Sequence, residues 1–253
     1  MKITLAKQYT QVQTQLTAHI DAFETSGTQF GDPGRNSIKL FDLNGEQINV
    51  KSFRVPNFIN QVVYNFFRKS KAQRSFEYAS KLLSLGIGTP TPIAFYERPT
   101  ILLFKKSYYI SQHLNCDLTY RELTTNLDYP DSEAIIRAFT RFTFDLHEKG
   151  VNFLDHSPGN TLITKKNDYY DFSIVDLNRM KFGNMDFKTR ISNFAKLTIH
   201  KSIIEIMSDE YAKLSNEDYD KVFDLMWGAT EKFQMKSKQK SKLKNKFKFW
   251  KHL

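Results

Sequence analysis

The spacing of apolar residues changes near Cys116, and this change restricts the folds that the chain can adopt. Before it come short runs of β-branched and aromatic residues. The first two runs flank Asn44-Gly45, a pair that favours a tight hairpin turn because both residues accept a positive φ. After it, apolar residues recur every three to four positions, which indicates helices. The sequence therefore predicts an α+β protein with an antiparallel sheet followed by a mainly helical region.

The first part combines predicted strands with helices. Helical spacing predicts one helix over Leu5–Phe23 and a main helix over Ala72–Leu85, which Gly86 ends. Residues 1–29 are therefore interpreted as an N-terminal helical segment and residues 30–114 as a small sheet region. The predicted strands are SIKLFDL, QINVKSF, PIAFYE and SYYISQHL.

The second part is predicted to consist of helices around one hairpin. It covers residues 115–231, and residues 232–253 follow as a lysine-rich tail. Two short strands, NTLIT and DFSIVDL, are joined by the polar turn KKNDYY. The predicted helices are Leu118–Leu127, Ser132–Lys149, Phe187–Met207 and Asn216–Phe233.

Composition excludes several classes of protein. With 22 Phe and 12 Tyr among 253 residues, the chain has too many aromatic residues for a disordered protein, and its 10 Gly are too few for a collagen-like one. The single Cys116 cannot form a disulfide within the chain, and its surroundings in sequence indicate a structural role. No apolar run is long enough for a bilayer span or a secretory signal, so we expect a cytoplasmic protein.

The net charge of +10 comes from the tail. Residues 232–253 hold nine Lys and no acidic residue, which leaves 28 basic and 27 acidic residues in the rest of the chain. We therefore expect no nucleic-acid-binding surface on the folded body. The tail is either a disordered, solvated end or a segment attracted to an anionic membrane surface, with Phe247, Phe249 and Trp250 among the lipid headgroups.

The stretch VNFLDHSPGNTLI carries the most informative polar residues. Asp155 and Asn160 are predicted on a loop between a long helix and a strand, and Asp176 lies at the exit of the next strand. Phosphoryl transfer from ATP requires a carboxylate that accepts a hydroxyl proton, together with oxygen ligands for Mg²⁺. Asp155 is the candidate base, and Asn160 and Asp176 are the candidate metal ligands. Asp and Asn at this spacing are common by chance, so the interpretation depends on the order of the elements.

Residues in the first part fit the same chemistry. Lys51, in a predicted strand, could reach phosphate oxygens, and Glu77, on the following helix, could pair with it. Gly31 and Gly34 precede Lys51 by about twenty residues, where a phosphate-covering loop would lie. The simpler interpretations are a solvated lysine, a glutamate in surface ion pairs and turn residues around Pro33.

On these ordered features, the sequence resembles the protein-kinase-like superfamily and, within it, the lipopolysaccharide core kinases of the Kdo/WaaP group. The resemblance runs from about Phe30 to Lys201 and includes HSPGN, which is similar to the H-P-G-N ending of small-molecule and sugar kinases. It implies a two-lobed protein-kinase-like fold, with a small antiparallel-sheet N-lobe and a mainly helical C-lobe. Backbone groups of Gln112, His113 and Leu114 would then contact adenine, although an ordinary connector explains these residues equally well.

The resemblance also implies a reaction. It is the ATP- and Mg²⁺-dependent phosphorylation of a sugar hydroxyl, on Kdo or heptose, in the inner core of lipopolysaccharide or of a lipid A precursor. This reaction would take place at the inner face of the cytoplasmic membrane. A lipid-linked acceptor favours the membrane interpretation of the tail, with the protein peripherally bound.

The sequence departs from the protein-kinase pattern at several positions. Ser157 stands where protein kinases usually have Lys, and no A-P-E sequence follows Asp176. Phe153 replaces the His that usually steadies the catalytic loop, a role that His156 could take, and Leu177-Asn178 replaces Phe-Gly. Ser157 and the missing A-P-E sequence favour a non-protein acceptor, whereas Phe153 and a glycine loop with two Gly rather than three favour a pseudokinase. The alternatives are a kinase of another small hydroxylated molecule and a pseudokinase that acts as a binding module.

Overall fold

The computed structural model describes residues 1–32, 36–55, 57, 61, 64, 68–100 and 104–249, with residues 244–249 described by their backbone only. The chain divides into two compact units. The first unit comprises Met1–Asn115 with Ser173–Arg179, and the second comprises Cys116–Phe172 with Met180–Leu253. The short segment that contains Asp176 therefore belongs to the first unit.

The first unit is built on an antiparallel sheet. Its strands within the described ranges are β1 (Lys2–Leu5), β2 (Thr28–Gln29), β3 (Asn36–Leu43), β4 (Glu46–Phe53), β5 (Pro92–Pro99) and β6 (Phe104–Gln112). Its helices α1 and α2 cover Gln13–Asp21 and Lys71–Ser84. The strand order is β1-β5-β6-β4-β3-β2. The predicted hairpin between β3 and β4 is confirmed, with φ of 57° at Asn44 and 88° at Gly45.

Helices α1 and α2 contact opposite faces of the sheet. On β4, Val50 is buried in the same cluster as Leu16 of α1, whereas Phe53 is buried against Ala72 of α2. Successive side chains of a strand point to opposite faces, so Lys51 lies on the face that α2 covers. The predicted main helix is thus confirmed as α2.

The helix predicted over Leu5–Phe23 is wrong in its first half. Lys2–Leu5 forms β1, a 3-10 helix covers Lys7–Val12, and α1 begins at Gln13. Pairing of β1 with β5 satisfies backbone hydrogen bonds and packs Ile3 against the core, which outweighs the helical spacing of the apolar residues. Because β1 and β2 both lie within residues 1–29, this stretch is part of the sheet rather than a helical segment.

The second unit is mainly helical, as predicted. Its largest buried cluster unites the helices with Ile163 and Phe172 of two short strands. Its helices are α3 (Tyr120–Thr125), α4 (Ser132–Glu148), α5 (Phe187–Ser192), α6 (Lys201–Ser215) and α7 (Tyr219–Phe249). Its strands are β7 (Leu118–Thr119), β8 (Val151–Phe153), β9 (Thr161–Lys165), β10 (Tyr170–Ile174) and β11 (Met180–Phe182). Strands β8 and β11 pair antiparallel, and a second sheet has the order β10-β9-β7.

Three predicted helices of the second unit differ from the structure, and the one predicted over Asn216–Phe233 begins at Tyr219 and continues to Phe249 as α7. The helix predicted from Leu118 begins two residues later, after β7, and the helix predicted over Phe187–Met207 is interrupted between α5 and α6. From the end of α5 into the interruption, the buried residues are spaced three apart, at Ile191, Phe194 and Leu197. Backbone bonds such as Leu197 N–H to Phe194 O follow the same spacing, which favours tight turns over an α-helix.

The lysine-rich tail is helical as far as Phe249, where α7 ends. This differs from the disordered end considered above. Lys, Gln, Met and Leu all favour helix, and no Gly or Pro follows Gly228. Trp250 lies outside the described residues. Within the described part of the chain, no helix combines the length and the apolar character needed to cross a membrane.

Candidate active site

An ion pair in the first unit joins two of the predicted site residues. Lys51 Nζ donates a hydrogen bond to Asp176 Oδ1 at 2.8 Å, and the two side chains are 16% and 36% exposed. Asp176 has a φ of +61°, in the left-handed region that non-glycine residues rarely adopt. Such a conformation persists only where surrounding contacts hold it, and it is common at functional sites.

Asn178 supplies one of those contacts. Its Nδ2 donates to Asp176 Oδ1 at 2.7 Å, and its carbonyl oxygen accepts a hydrogen bond from Arg74 of α2 at 2.8 Å. Arg74 and Asn178 are 9% and 8% exposed, and burial lowers the pKa of Arg74. Sequence reasoning missed Arg74, because nothing in the helical pattern distinguishes it from the Lys residues of the same helix.

The predicted pairing of Lys51 with Glu77 is not found among the described contacts. Glu77 instead accepts hydrogen bonds from Lys69 at 2.8 Å and from Gln73 at 2.9 Å. Gln73 is one helical turn before Glu77 and Lys69 precedes the helix, so both reach this carboxylate locally. The Lys51 ammonium is already paired with Asp176. In this structure, α2 is connected to Asp176 through Arg74.

The predicted phosphate-covering loop is partly described. Gly31 lies in the turn between β2 and β3 with a φ of +68°, and among the described residues, apart from its own chain neighbours, no atom lies within 4 Å of the position that a Cβ would occupy. The open space would let a ligand approach the backbone there. Gly34 lies outside the described residues.

Two of the three residues predicted to contact adenine use their backbone N–H groups in hydrogen bonds to other residues of the first unit. The N–H of Gln112 donates to Thr91 O at 2.9 Å, and the N–H of His113 donates to Gln47 O at 3.0 Å. Within the described ranges the N–H of Leu114 makes no backbone hydrogen bond. Of the three residues, only Leu114 therefore offers an N–H to a ligand in the part of the chain that the structure describes.

Several polar atoms on β4, on β6 and directly after β6 are buried without a hydrogen-bond partner among the described residues. They are Asn49 Oδ1, Tyr109 Oη and His113 Nδ1. Asn49 shares a face of β4 with Lys51, and Tyr109 lies opposite Lys51 on β6. Burial raises the pKa of Tyr109. Buried polar atoms are nearly always paired, so Asn49 Oδ1 and His113 Nδ1 are candidates for contact with a polar ligand.

In the second unit, Asp155 and Asn160 lie on one short loop, as the sequence predicts, but this loop follows strand β8, which was not predicted, rather than the long helix. The loop leaves β8 and passes through a 3-10 helix, Pro158–Asn160, into β9. Asn160 Nδ2 donates to the backbone carbonyl of Asp155 at 2.8 Å. This bond fixes the amide, so Asn160 Oδ1 remains as an oxygen ligand for a hard cation.

Two side chains that sequence reasoning missed hold the backbone just before Asp155. Asn193 Nδ2 donates to Phe153 O at 2.9 Å, and Lys196 Nζ donates to Leu154 O. Lys196 Nζ also lies 3.8 Å from Asp155 Oδ1. Two residues from the segment between α5 and α6 thus bind consecutive carbonyl groups. They provide the support that the sequence lacks at Phe153.

Asn193 also organises a buried hydrogen-bond network. Its Nδ2 donates to Asn152 Oδ1 at 3.1 Å as well as to the backbone, so its Oδ1 must accept from His156 Nδ1 at 3.1 Å and from His147 Nε2 at 3.3 Å. His147 Nδ1 then accepts from the Tyr211 hydroxyl at 2.9 Å. Both histidines are therefore neutral donors to one amide. His156 was predicted to steady the loop, and in the structure it is connected to the loop through Asn193.

The two buried histidines make the protein sensitive to acid. Burial lowers the pKa of His147 to about 4 and that of His156 to about 3, from an ordinary value of 6.5. A base with a lowered pKa binds fewer protons in the folded state than in the unfolded state, so its contribution to stability is lost as pH falls below 6.5. We expect the free energy of unfolding to fall by about 1.4 kcal/mol per pH unit for each histidine between pH 6 and pH 4.

Urea unfolding at a series of pH values tests this expectation. Replacing His156 by Gln keeps a donor for Asn193 and removes one titrating group. The variant should therefore lose less stability than the wild type over the same pH range. Equal slopes in the two proteins would contradict the assignment.

The residues present fit a magnesium ion held together with a nucleotide. In the described part of the chain, no three His, Cys, Asp or Glu side chains converge as a metal-binding group. Mg²⁺ bound with phosphates needs only one or two carboxylates, because water and phosphate oxygens complete its octahedron. Lys51 and Asn178 both bind Asp176 through Oδ1. In the first unit, Asp176 Oδ2 is therefore an oxygen suited to such an ion, and in the second unit Asn160 Oδ1 is another.

The sheet unit and the helical unit together define a protein-kinase-like fold. A solved structure described as WaaP in complex with acyl carrier protein matches the chain with a TM-score of 0.65 and 15% sequence identity. The match covers 94% of this chain and 99% of that one. No family model matches the sequence, and no curated protein matches it either. The likeness in structure confirms the predicted fold class.

Proposed function

We propose that this protein is a kinase that transfers the γ-phosphoryl group of MgATP to a sugar hydroxyl of the lipopolysaccharide inner core, on Kdo or heptose. The observation that carries the proposal is the ion pair between Lys51 and Asp176, with Asp176 held in a left-handed conformation. A lysine and a carboxylate fixed in this way are suited to phosphate oxygens and to the metal ion that accompanies them. The sugar acceptor follows from the resemblance to lipopolysaccharide core kinases.

Each residue has a role in this proposal. Asp155 accepts the proton of the attacking hydroxyl, and Lys51 neutralises charge on the ATP phosphates. Asn160 and Asp176 would hold Mg²⁺, which supplies charge neutralisation at the phosphates when it is bound. Glu77 is proposed to support Lys51 when nucleotide draws the ammonium away from Asp176.

A pseudokinase is the second candidate. It is favoured by the pairing of Glu77 with Lys69 and by the use of the Gln112 and His113 N–H groups within the sheet. A kinase for another small hydroxylated molecule would use the same residues as the leading proposal. The acceptor and the turnover of ATP separate these possibilities.

The first experiment is mass spectrometry of a Kdo-bearing lipid A precursor after incubation with the protein, ATP and Mg²⁺. We expect the acceptor to gain the mass of one phosphate only when all components are present. Consumption of ATP without this gain would indicate another acceptor. If neither ATP nor acceptor changes, the kinase proposal is wrong and the pseudokinase is preferred.

We also propose that the C-terminal part of α7 attracts the protein to an anionic membrane surface at the inner face of the cytoplasmic membrane. Each Lys near such a surface contributes about 1 kcal/mol. We expect the full chain to sediment with vesicles that contain anionic lipid. A chain ending at Glu231 should remain in the supernatant, and vesicles of neutral lipid serve as the control. Equal sedimentation of the two chains would contradict this role of the tail.

A further inference from the structure

We propose that Lys196 takes part directly in phosphoryl transfer, by placing its ammonium against the group that is transferred next to Asp155. This inference rests on the proposed kinase function. Lys196 lies outside the sequence motifs that predict the site, in the interruption between α5 and α6.

Both the backbone of Lys196 and the end of its side chain are held in place by contacts. The neighbouring Phe194 and Leu197 are completely buried, so the backbone of this segment is anchored in the core of the second unit. At the other end of the side chain, Nζ donates to the carbonyl of Leu154. An ammonium held in this way loses little conformational entropy when it binds a substrate oxygen.

The ammonium of Lys196 still has capacity for a ligand. Nζ lies 3.8 Å from Asp155 Oδ1, which is too long for a hydrogen bond, and the Lys196 side chain is 34% exposed. A lysine ammonium has three donors, and the carbonyl of Leu154 uses one of them. By contrast, Lys213 forms a 2.7 Å ion pair with Asp209 one turn earlier on α6, as a surface lysine commonly does.

The chemistry of phosphoryl transfer defines the function that we propose for the Lys196 ammonium. The hydroxyl oxygen forms a bond to the γ-phosphorus while the bond from that phosphorus to the β,γ-bridging oxygen breaks, and the electron pair of the broken bond leaves with ADP. The hydroxyl proton passes to the Asp155 carboxylate. Negative charge is spread over the three equatorial oxygens of the transferred group, where a fixed cation stabilises the transition state more than the ground state. We assign this stabilisation on the acceptor side to Lys196.

Two substitutions distinguish this role from simple support of the loop. Lys196→Gln keeps a donor for the Leu154 carbonyl and removes the charge, whereas Lys196→Arg keeps the charge. We expect Lys196→Gln to lower kcat by about 10²-fold with the KM for ATP changed by less than about threefold, and Lys196→Arg to recover most of the rate. Lys213→Gln is the matched control and should retain wild-type kcat.

A binding measurement provides a readout that does not depend on turnover. Aluminium fluoride with MgADP mimics the phosphoryl group during transfer, so it should tighten MgADP binding to the wild type and to Lys196→Arg but not to Lys196→Gln. Wild-type kcat in Lys196→Gln, or a loss of kcat that Lys196→Arg does not recover, would overturn the role of Lys196 alone. A wild type that neither transfers phosphate nor responds to aluminium fluoride would overturn the kinase function and this inference together.

Discussion

Asp155→Asn is expected to lower kcat for phosphate transfer by about 10² to 10⁴-fold and to leave the affinity for MgATP almost unchanged. The amide has the size of the carboxylate but cannot accept the hydroxyl proton. The bond from Asn160 goes to the backbone carbonyl of Asp155, so the substitution keeps this contact of the loop. The loss should therefore appear in kcat rather than in nucleotide binding.

The measurement combines phosphate transfer with calorimetric titration of MgATP. Asp145→Asn serves as the matched control, because Asp145 pairs with Lys149 on the surface of α4. It should behave like the wild type in both assays. If Asp155→Asn retained most of the wild-type rate, Asp155 would not be the base.

Asn193→Leu is expected to lower the free energy of unfolding by about 3 kcal/mol or more. Leucine has nearly the same volume, but it removes hydrogen bonds to Asn152, Phe153, His147 and His156. Each buried polar group that is left without a partner costs about 1–3 kcal/mol. A domain is typically stable by only about 5–15 kcal/mol, so this loss is a large fraction of the total.

Thermal and urea unfolding, followed by circular dichroism, measure this effect. Asn184→Leu is the control, because Asn184 is exposed in the loop before α5. We expect a change of several degrees in Tm for Asn193→Leu and almost none for the control. Equal Tm values for the two variants would show that the network around Asn193 contributes little to stability.

The sequence predicts those parts of the fold and of the site that depend on the order of residues and elements along the chain. Asn44-Gly45 forces a turn by its own backbone preferences, and Asp155 and Asn160 are close because they share one loop. Lys51 and Asp176 are 125 residues apart in sequence, yet both were identified because each has a recognisable place at a strand. Their pairing with each other was not predicted.

The residues that sequence reasoning missed all contact residues that are far from them in the sequence. Arg74 contacts the carbonyl of Asn178, which is 104 residues away, and Asn193 binds the carbonyl of Phe153, which is 40 residues away. Neither contact leaves a periodic signal, because an arginine on a helix and an asparagine in a turn are common on protein surfaces. Asn193 and Lys196 lie in the interruption between α5 and α6. The spacing of the apolar residues there is also compatible with a continuous helix. Local patterns therefore predicted one helix where packing produces two.

The first strand has a consequence for handling the protein. Strand β1 pairs with β5 from Lys2–Glu97 to Leu5–Ala94 and occupies the outer side of the sheet there. Removal of residues 1–6 would leave β5 with a row of unsatisfied N–H and C=O groups at a border rich in apolar side chains. Such a border is a template for pairing with a second molecule, so the shortened chain should self-associate or precipitate. Additions to the N-terminus should therefore leave Lys2–Leu5 free to pair.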